Sequence, residues 1–335
     1  MPKPLNFPWS LQRETKNKRP KVTVICPVHN EEKTIPIFYG RFKKVTDPLR
    51  RNYDIELIFT NNRSTDSSLD VILEIREKDE SVQVITLSRN FGYQASLQAG
   101  LAAASGDAIM FNDVDCEDPP EMLVQFLEKW EEGFDVVYGE RAGRPEWIVI
   151  KKLRDCFYHV MRSMGDSDIV LYMAEFSMFS KTVREAIVKN NNTMPYLRAE
   201  IAYSGFTRFG IPYDRQKRVG GKTHYNIGHL FADAIGAILT SSTFLLRFTA
   251  LFLLPFVLFN MFLFGLHIFE VPGPWLASLL VIDLIYIVSQ LTICGLYIAR
   301  IHKNVMNRPV FLIDYRATFV NPETLRTLTQ AGEAK

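Results

Sequence analysis

Two long apolar runs constrain this chain more than any other feature. Residues 248–266 read FTALFLLPFVLFNMFLFGL without a charge, and residues 275–299 read WLASLLVIDLIYIVSQLTICGLYIA with one, Asp283. About 20 apolar residues in a helix cross a bilayer core. A pair of buried core helices is the alternative, but length and adjacency favour two spans, placed at 244–269 and 275–299. The link HIFEVPGP carries no Lys or Arg, whereas Arg247, Arg300, Lys303 and Arg308 lie outside the runs. By the positive-inside rule both outer ends then face the cytoplasm. An intramembrane carboxylate usually finds a partner; for Asp283 the candidates are Asn260, Ser289, Gln290 or a second subunit. Pro255 is expected to kink the first span.

The rest of the chain bounds the class. Its 335 residues suit one large or two modest domains, and a net charge of +2 gives no nucleic-acid signal. Residues 1–20 form a basic stretch without an apolar core, read as a flexible tail rather than a signal peptide. Cys26, Cys116, Cys156 and Cys294 are widely spaced, which fits a reduced cytosolic face and neither a disulfide framework nor a zinc site.

From Lys21 the pattern alternates. KVTVICPV, IELIFT, VQVITL, DAIMFN and DVVYGER read as strands; EEKTIPIFYGRFKKV, STDSSLDVILEIREK, YQASLQAGLAAA and MLVQFLEKWEE read as helices between them. Gly106 is expected to close the third helix and Asp118 to cap the fourth, ahead of Pro119 and Pro120. This alternation predicts an α/β fold with a mostly parallel sheet, over residues 21–225. Beyond it, WIVIKKLRDCFYHVMRSM reads as helical, EFSMFS and FTRFGIPYDRQKR as extended, 226–243 as an amphipathic helix on the membrane surface, and 300–335 as a cytosolic tail.

Ligands of parallel sheets bind at the carboxyl ends of strands. PVHNEE, TNNRSTD and NDVDCED fall at three such ends. Asp113, Asp115, Glu117 and Asp118 are crowded in the last, and like charges this close raise one another's pKa. Side chains two apart on extended backbone point the same way. Asp113 and Asp115 are therefore read as ligands of a hard divalent cation that leaves room for phosphate; a solvated acidic loop is the alternative. Arg141, Arg144, Arg215, Arg218 and Lys222 are read as phosphate-binding cations, or else as positive-inside charge meeting anionic headgroups.

LSRNFGYQASLQAGLAAASGD, NDVDCEDPPEMLVQFLEKWEEGFDVVYGERAGR and RQKRVGGKTHY, followed by two apolar runs, resemble polyprenyl-phosphate glycosyltransferases. These are inverting family 2 enzymes of GT-A fold, a group that includes dolichol-phosphate mannose synthase and bacterial undecaprenyl-phosphate glucosyl- and aminoarabinosyl-transferases. The resemblance runs from Lys21 to about Pro309. It implies a nucleotide-diphosphate sugar as donor, a polyprenyl phosphate as acceptor, Mg²⁺ or Mn²⁺ as cofactor, and a catalytic domain on the cytosolic side of a membrane, the bacterial inner membrane above all. Subunits could associate through the spans and the tail.

By this resemblance Pro27, His29 and Glu31 line the nucleotide pocket, with His29 in place of the family's Tyr. Asn61 and Asn62 stand where the family has Asp-Asp, which puts the base in doubt, and Arg63 follows where bulk is unusual. Arg89, Asp113 and Lys222 lie near the donor, and Glu117 replaces a Gln to make an acidic triad for the metal. Thr223-His224-Tyr225 replaces Ser-Lys-Tyr. An Arg that family members carry near Glu175 is missing from this stretch. Two rival functions remain: a transferase of the same fold acting on a hydroxyl, with Glu175 as base, and a non-catalytic membrane scaffold.

Overall fold

The computed structural model describes residues 19–141, 173–190, 196–220, 243–270 and 273–333. They form two compact units: one holds the strands and the residues from Pro309 onward, the other the two long apolar helices.

The first unit is built on β1 (Lys21–Val28), β2 (Asp54–Asn61), β3 (Val82–Thr86), β4 (Ala108–Phe111), β5 (Val136–Arg141), β6 (Met173–Ser180) and β7 (Arg208–Tyr213). They make one sheet in the order β3-β2-β1-β4-β6-β5-β7. β3, β2, β1 and β4 are mutually parallel, β6 is antiparallel to β4 and β5, and β7 is parallel to β5. The connecting helices are α1 (Ile35–Leu49), α2 (Ser68–Lys78), α3 (Tyr93–Ala103), α4 (Leu123–Glu131), α5 (Lys181–Val188) and α6 (Leu197–Tyr203).

The strands are buried on both faces, as their β-branched runs demand. Val22, Val24, Cys26 and Val28 of β1 join Leu57, Phe59, Phe38 and Phe126 in one cluster, while Ile25 joins Leu97, Leu101 and Phe111 on the other face. Truncating Leu57 or Phe59 to Ala would cost about 2–5 kcal/mol. Gly106 does not cap α3, which ends at Ala103. A Cβ there would come within 2.7 Å of the Ala108 carbonyl and of Thr23, so the residue is Gly because the turn presses against β1.

The region read as a cytosolic tail contains organised structure. Val84 bridges Phe319 and Leu87 bridges Ile313, both antiparallel, so residues 312–320 lie along the outer edge of β3. A final helix, here α9 (Pro322–Glu333), places Leu328 in a buried cluster with Ile58, Ile85, Ala102 and Ala103. Glu323 pairs with Lys21 at 3.0 Å, and Lys21 in turn pairs with the buried Glu56 at 3.0 Å.

The second unit consists of α7 (Phe244–Ile268) and α8 (Trp275–Val305), both long and apolar enough to cross a membrane. Pro255 lies inside α7. Phe256 stacks on Tyr286 at 3.9 Å, and Asn260 Nδ2 donates to Asp283 Oδ1 at 2.8 Å, choosing one of the expected partners. The expected surface helix at 226–243 and the helical reading of 147–164 fall almost wholly outside the described residues.

Candidate active site

The loops after β1, β2 and β3 are tied together by side chains. Asn61 Oδ1 accepts from Ser64 N at 3.0 Å, closing the turn after β2. Asn62 uses both ends of its amide: Nδ2 donates to Asn90 Oδ1 at 3.0 Å and Oδ1 accepts from Phe91 N at 2.9 Å. An aspartate could only accept, so asparagine fits this position for a local reason. His29 lies between the loops, with Nδ1 3.1 Å from the Asn62 carbonyl and Nε2 3.2 Å from Asn90 Nδ2. That pairing is the one made by the Nδ1–H tautomer. Arg89 stacks over Phe91 at 3.9 Å. Pro27, near the end of β1, pairs in register with Thr60 beside Asn61. Gly92, at φ 93°, adopts the left-handed backbone that lets α3 begin directly after this cluster.

After β4 the chain turns instead of staying extended, and Cys116 has φ 56°. This changes where the carboxylates go. Asp113 Oδ1 accepts from the Tyr93 hydroxyl at 2.9 Å. Asp115 Oδ1 accepts from Glu117 N at 3.0 Å, and its other oxygen is 3.7 Å from Arg218. Glu117 is sent to an ion pair with Arg215. Among the described residues no group of three His, Cys, Asp or Glu side chains is clustered as metal ligands are, and the partner of Glu117 is Arg215. The alternation that set Asp113 beside Asp115 assumed extended backbone, which the turn interrupts.

Asp113 and Asp115 do fit a cation on chemical grounds. Burial, and then the charges of Asp115 and Asp118, push the Asp113 carboxyl up to about 8. A carboxyl so short of positive charge is a natural ligand for a hard divalent ion.

Asp118 is not a helix cap. It is buried, accepts from the Tyr213 hydroxyl at 2.5 Å, and lies 3.7 Å from Arg141 and 3.9 Å from Arg215. Burial, and next the negative charge of Asp118, raise the Tyr213 phenol. Arg141 also donates to Tyr213 at 3.3 Å. Arg218 pairs with Glu31 at 2.7 Å, and Glu31 accepts from Thr34 at 2.7 Å. Backbone bonds fasten the arginine segment to the acidic loop: Gln216 N donates to the Glu117 carbonyl at 2.9 Å and Val219 N to that of Asp115 at 3.2 Å. The structure thus gathers Glu31, Asp113, Asp115, Glu117, Arg141, Arg215 and Arg218. Arg144, Lys222 and Thr223-His224-Tyr225 lie outside the described residues.

Sequence reasoning missed Tyr93, Tyr213 and Arg198. Arg198 of α6 donates to Glu175 Oε1 at 3.0 Å, and Gln94 Nε2 donates to the same oxygen at 2.9 Å. The cation that holds Glu175 thus comes from a helix 23 positions further on.

Parallel strands ending in carboxylates and arginines define an α/β protein with its site at the strand ends. The chain belongs to glycosyltransferase family 2, whose model, described as glycosyl transferase family 2, matches residues 23–231. It is an enzyme of glycosyl transfer with a GT-A fold. It is 32% identical over 304 residues to an uncharacterized glycosyltransferase, YkcC, of Bacillus subtilis, covering 87% of this chain and 92% of that one. It is 31% identical over 303 residues to a prophage-derived bactoprenol glucosyl transferase of Shigella flexneri, covering 88% of this chain and 97% of that one. Among solved structures it is similar to the mannosyltransferase PcManGT of Pyrobaculum calidifontis, with TM-score 0.43, 21% identity, and 68% of this chain and 70% of that one covered.

Proposed function

We propose that this chain transfers a sugar, with inversion, from a nucleotide-diphosphate donor to the phosphate of a polyprenyl lipid at a membrane. The observation that carries the reading is the convergence of Arg141, Arg215 and Arg218 on the carboxylates that follow β4. Cations poised against acids at strand ends suit a reaction whose nucleophile and leaving group are both phosphates. The relative named bactoprenol glucosyl transferase supports a polyprenyl phosphate as acceptor, and α7 and α8 are suited to hold the enzyme where such a lipid lies.

Asp113 and Asp115 would hold Mg²⁺ or Mn²⁺, which supplies neutralising charge to the departing diphosphate. The protein's own groups do the rest. The linked loops around His29, Asn61, Asn62 and Arg89 cradle the nucleoside, together with Pro27. Arg215 and Arg218 exchange their carboxylate partners for phosphate oxygens, a charge-assisted fork geometry that aligns the attacking group. A phosphate monoester has its second pKa near ~6 and is largely a dianion at neutral pH, so it needs no base. Glu175 has a structural part in this reading: its Oε1 accepts from both Arg198 and Gln94, tying β6 to α6 and α3.

The test is incubation of the purified full-length protein in detergent with labelled nucleotide sugars and undecaprenyl phosphate, with and without Mn²⁺. Label entering the lipid phase only with metal is expected. No glycolipid from any donor with any divalent ion would sink the reading.

A further inference from the structure

At the outer edge of the sheet, Asp314 touches the donor side of the site from 251 residues away in sequence. Its Oδ2 lies 3.1 Å from Arg63 Nη1. The aspartate itself is held firmly: its N–H donates to the Thr86 carbonyl at 2.8 Å, and its carbonyl accepts from Thr318 Oγ1 at 2.9 Å. Thr86 ends β3 and is in register with Asn61, which ends β2. Asp314 therefore stands at the carboxyl edge of the parallel strands, where ligands of such sheets bind. Arg63 follows Asn62 directly and has φ 57°, a left-handed conformation that a non-glycine residue keeps only when its surroundings impose it. Asp314 Oδ1 also accepts from Arg316 Nε at 3.3 Å. Two guanidinium groups thus share one carboxylate, which leaves positive charge beside the loop.

We propose that Asp314 is a positioning residue for the donor: it holds Arg63 beside the Asn61-Asn62 loop so that the guanidinium meets the nucleoside diphosphate. The segment following the second apolar helix is then a working wall of the nucleotide pocket. This rests on the reading of the chain as a nucleotide-sugar transferase.

The experiment uses full-length protein and measures binding of UDP and of GDP, each with Mn²⁺, by calorimetry, alongside donor KM and turnover. Asp314→Ala and Arg63→Ala are each expected to weaken nucleotide binding and raise donor KM by about five- to tenfold, with turnover at saturating donor within about twofold. The double variant should be no worse than either single one. Arg63→Lys, which keeps a positive charge beside the diphosphate, should recover most of the affinity lost in Arg63→Ala, an outcome that lost packing alone does not produce. Asp314→Asn, which keeps the shape and loses the charge, should fall between wild type and Asp314→Ala, with an unchanged melting temperature. If Asp314→Ala binds nucleotide as wild type does, or Arg63→Lys recovers nothing, the inference is overturned while the transferase reading stands. If wild-type protein binds neither nucleotide, the transferase reading fails and takes the inference with it.

Discussion

Arg198 Nε donates to Oε1 of Glu175 at 3.0 Å, and Gln94 donates to the same oxygen at 2.9 Å, so one oxygen of the Glu175 carboxylate is held by two donors. A general base typically contributes about 10²–10⁴-fold to a rate. Glu175→Gln is therefore expected to keep turnover within about tenfold of wild type if the acceptor is a phosphate. A loss across the full range in a glycolipid assay would mark a hydroxyl acceptor instead. Arg198→Ala leaves a half-buried carboxylate short of its cation and should cost about 1–3 kcal/mol, read from denaturant unfolding.

Asp115→Asn removes the charge of a proposed metal ligand without changing its shape. Activity with Mn²⁺ should fall about 100-fold or more, as when charge stabilisation of a leaving group is lost. The partner of Glu117 is Arg215, so Glu117→Gln should leave the half-saturating Mn²⁺ concentration within about twofold of wild type. A metal titration followed by activity checks both, and a large shift with Glu117→Gln would restore the acidic triad.

Asp113 gives a pH dependence whose sign is set. Burial first, then Asp115 and Asp118, raise its carboxyl from an ordinary 3.8 to about 8. The folded state keeps a proton that the unfolded chain releases, so this group's contribution is fully present below about pH 4 and is lost as pH rises toward 8. With chelator present, the melting temperature of wild type should drop between about pH 5 and pH 9 more than that of Asp113→Asn. Parallel curves would refute the assignment.

Arg218 faces Glu31 at 2.7 Å and Asp115 at 3.7 Å. Arg218→Ala should lower kcat/KM by about 10- to 100-fold, the range for losing a charge-assisted contact in a transition state. Arg218→Lys should recover only part of it, because a point charge cannot span two oxygens. Steady-state kinetics over both substrates would show whether donor or acceptor carries the loss.

The sheet was legible because β-branched runs such as KVTVICPV and IELIFT are separated by helical periodicity, and both are local properties of the chain. The place of the candidate site was read from topology, since motifs at strand ends can be read without side-chain contacts. What escaped was pairing across distance. Asp118 read as a helix cap because Pro119 and Pro120 follow it, yet its partner Tyr213 is 95 residues away. Glu117 read as a metal ligand because it stands where the resembling motif has Gln, and its ion pair with Arg215, 98 positions further on, left no local sign. The segment from Leu312 to Val320 gave no strand signal because a turn of 3₁₀ helix, Tyr315–Ala317, interrupts its apolar pattern.

That same segment sets an order of assembly. β3 is the last strand on its side of the sheet, and its free edge is covered only when Ile313 and Phe319 arrive. In chain order both long apolar helices precede them. A ribosome must therefore finish the hydrophobic hairpin before the enzyme's sheet can be sealed, and until then an open strand edge is available for pairing with neighbours. Maturation of the sugar-transferring unit is in this way tied to synthesis of the chain through Phe319.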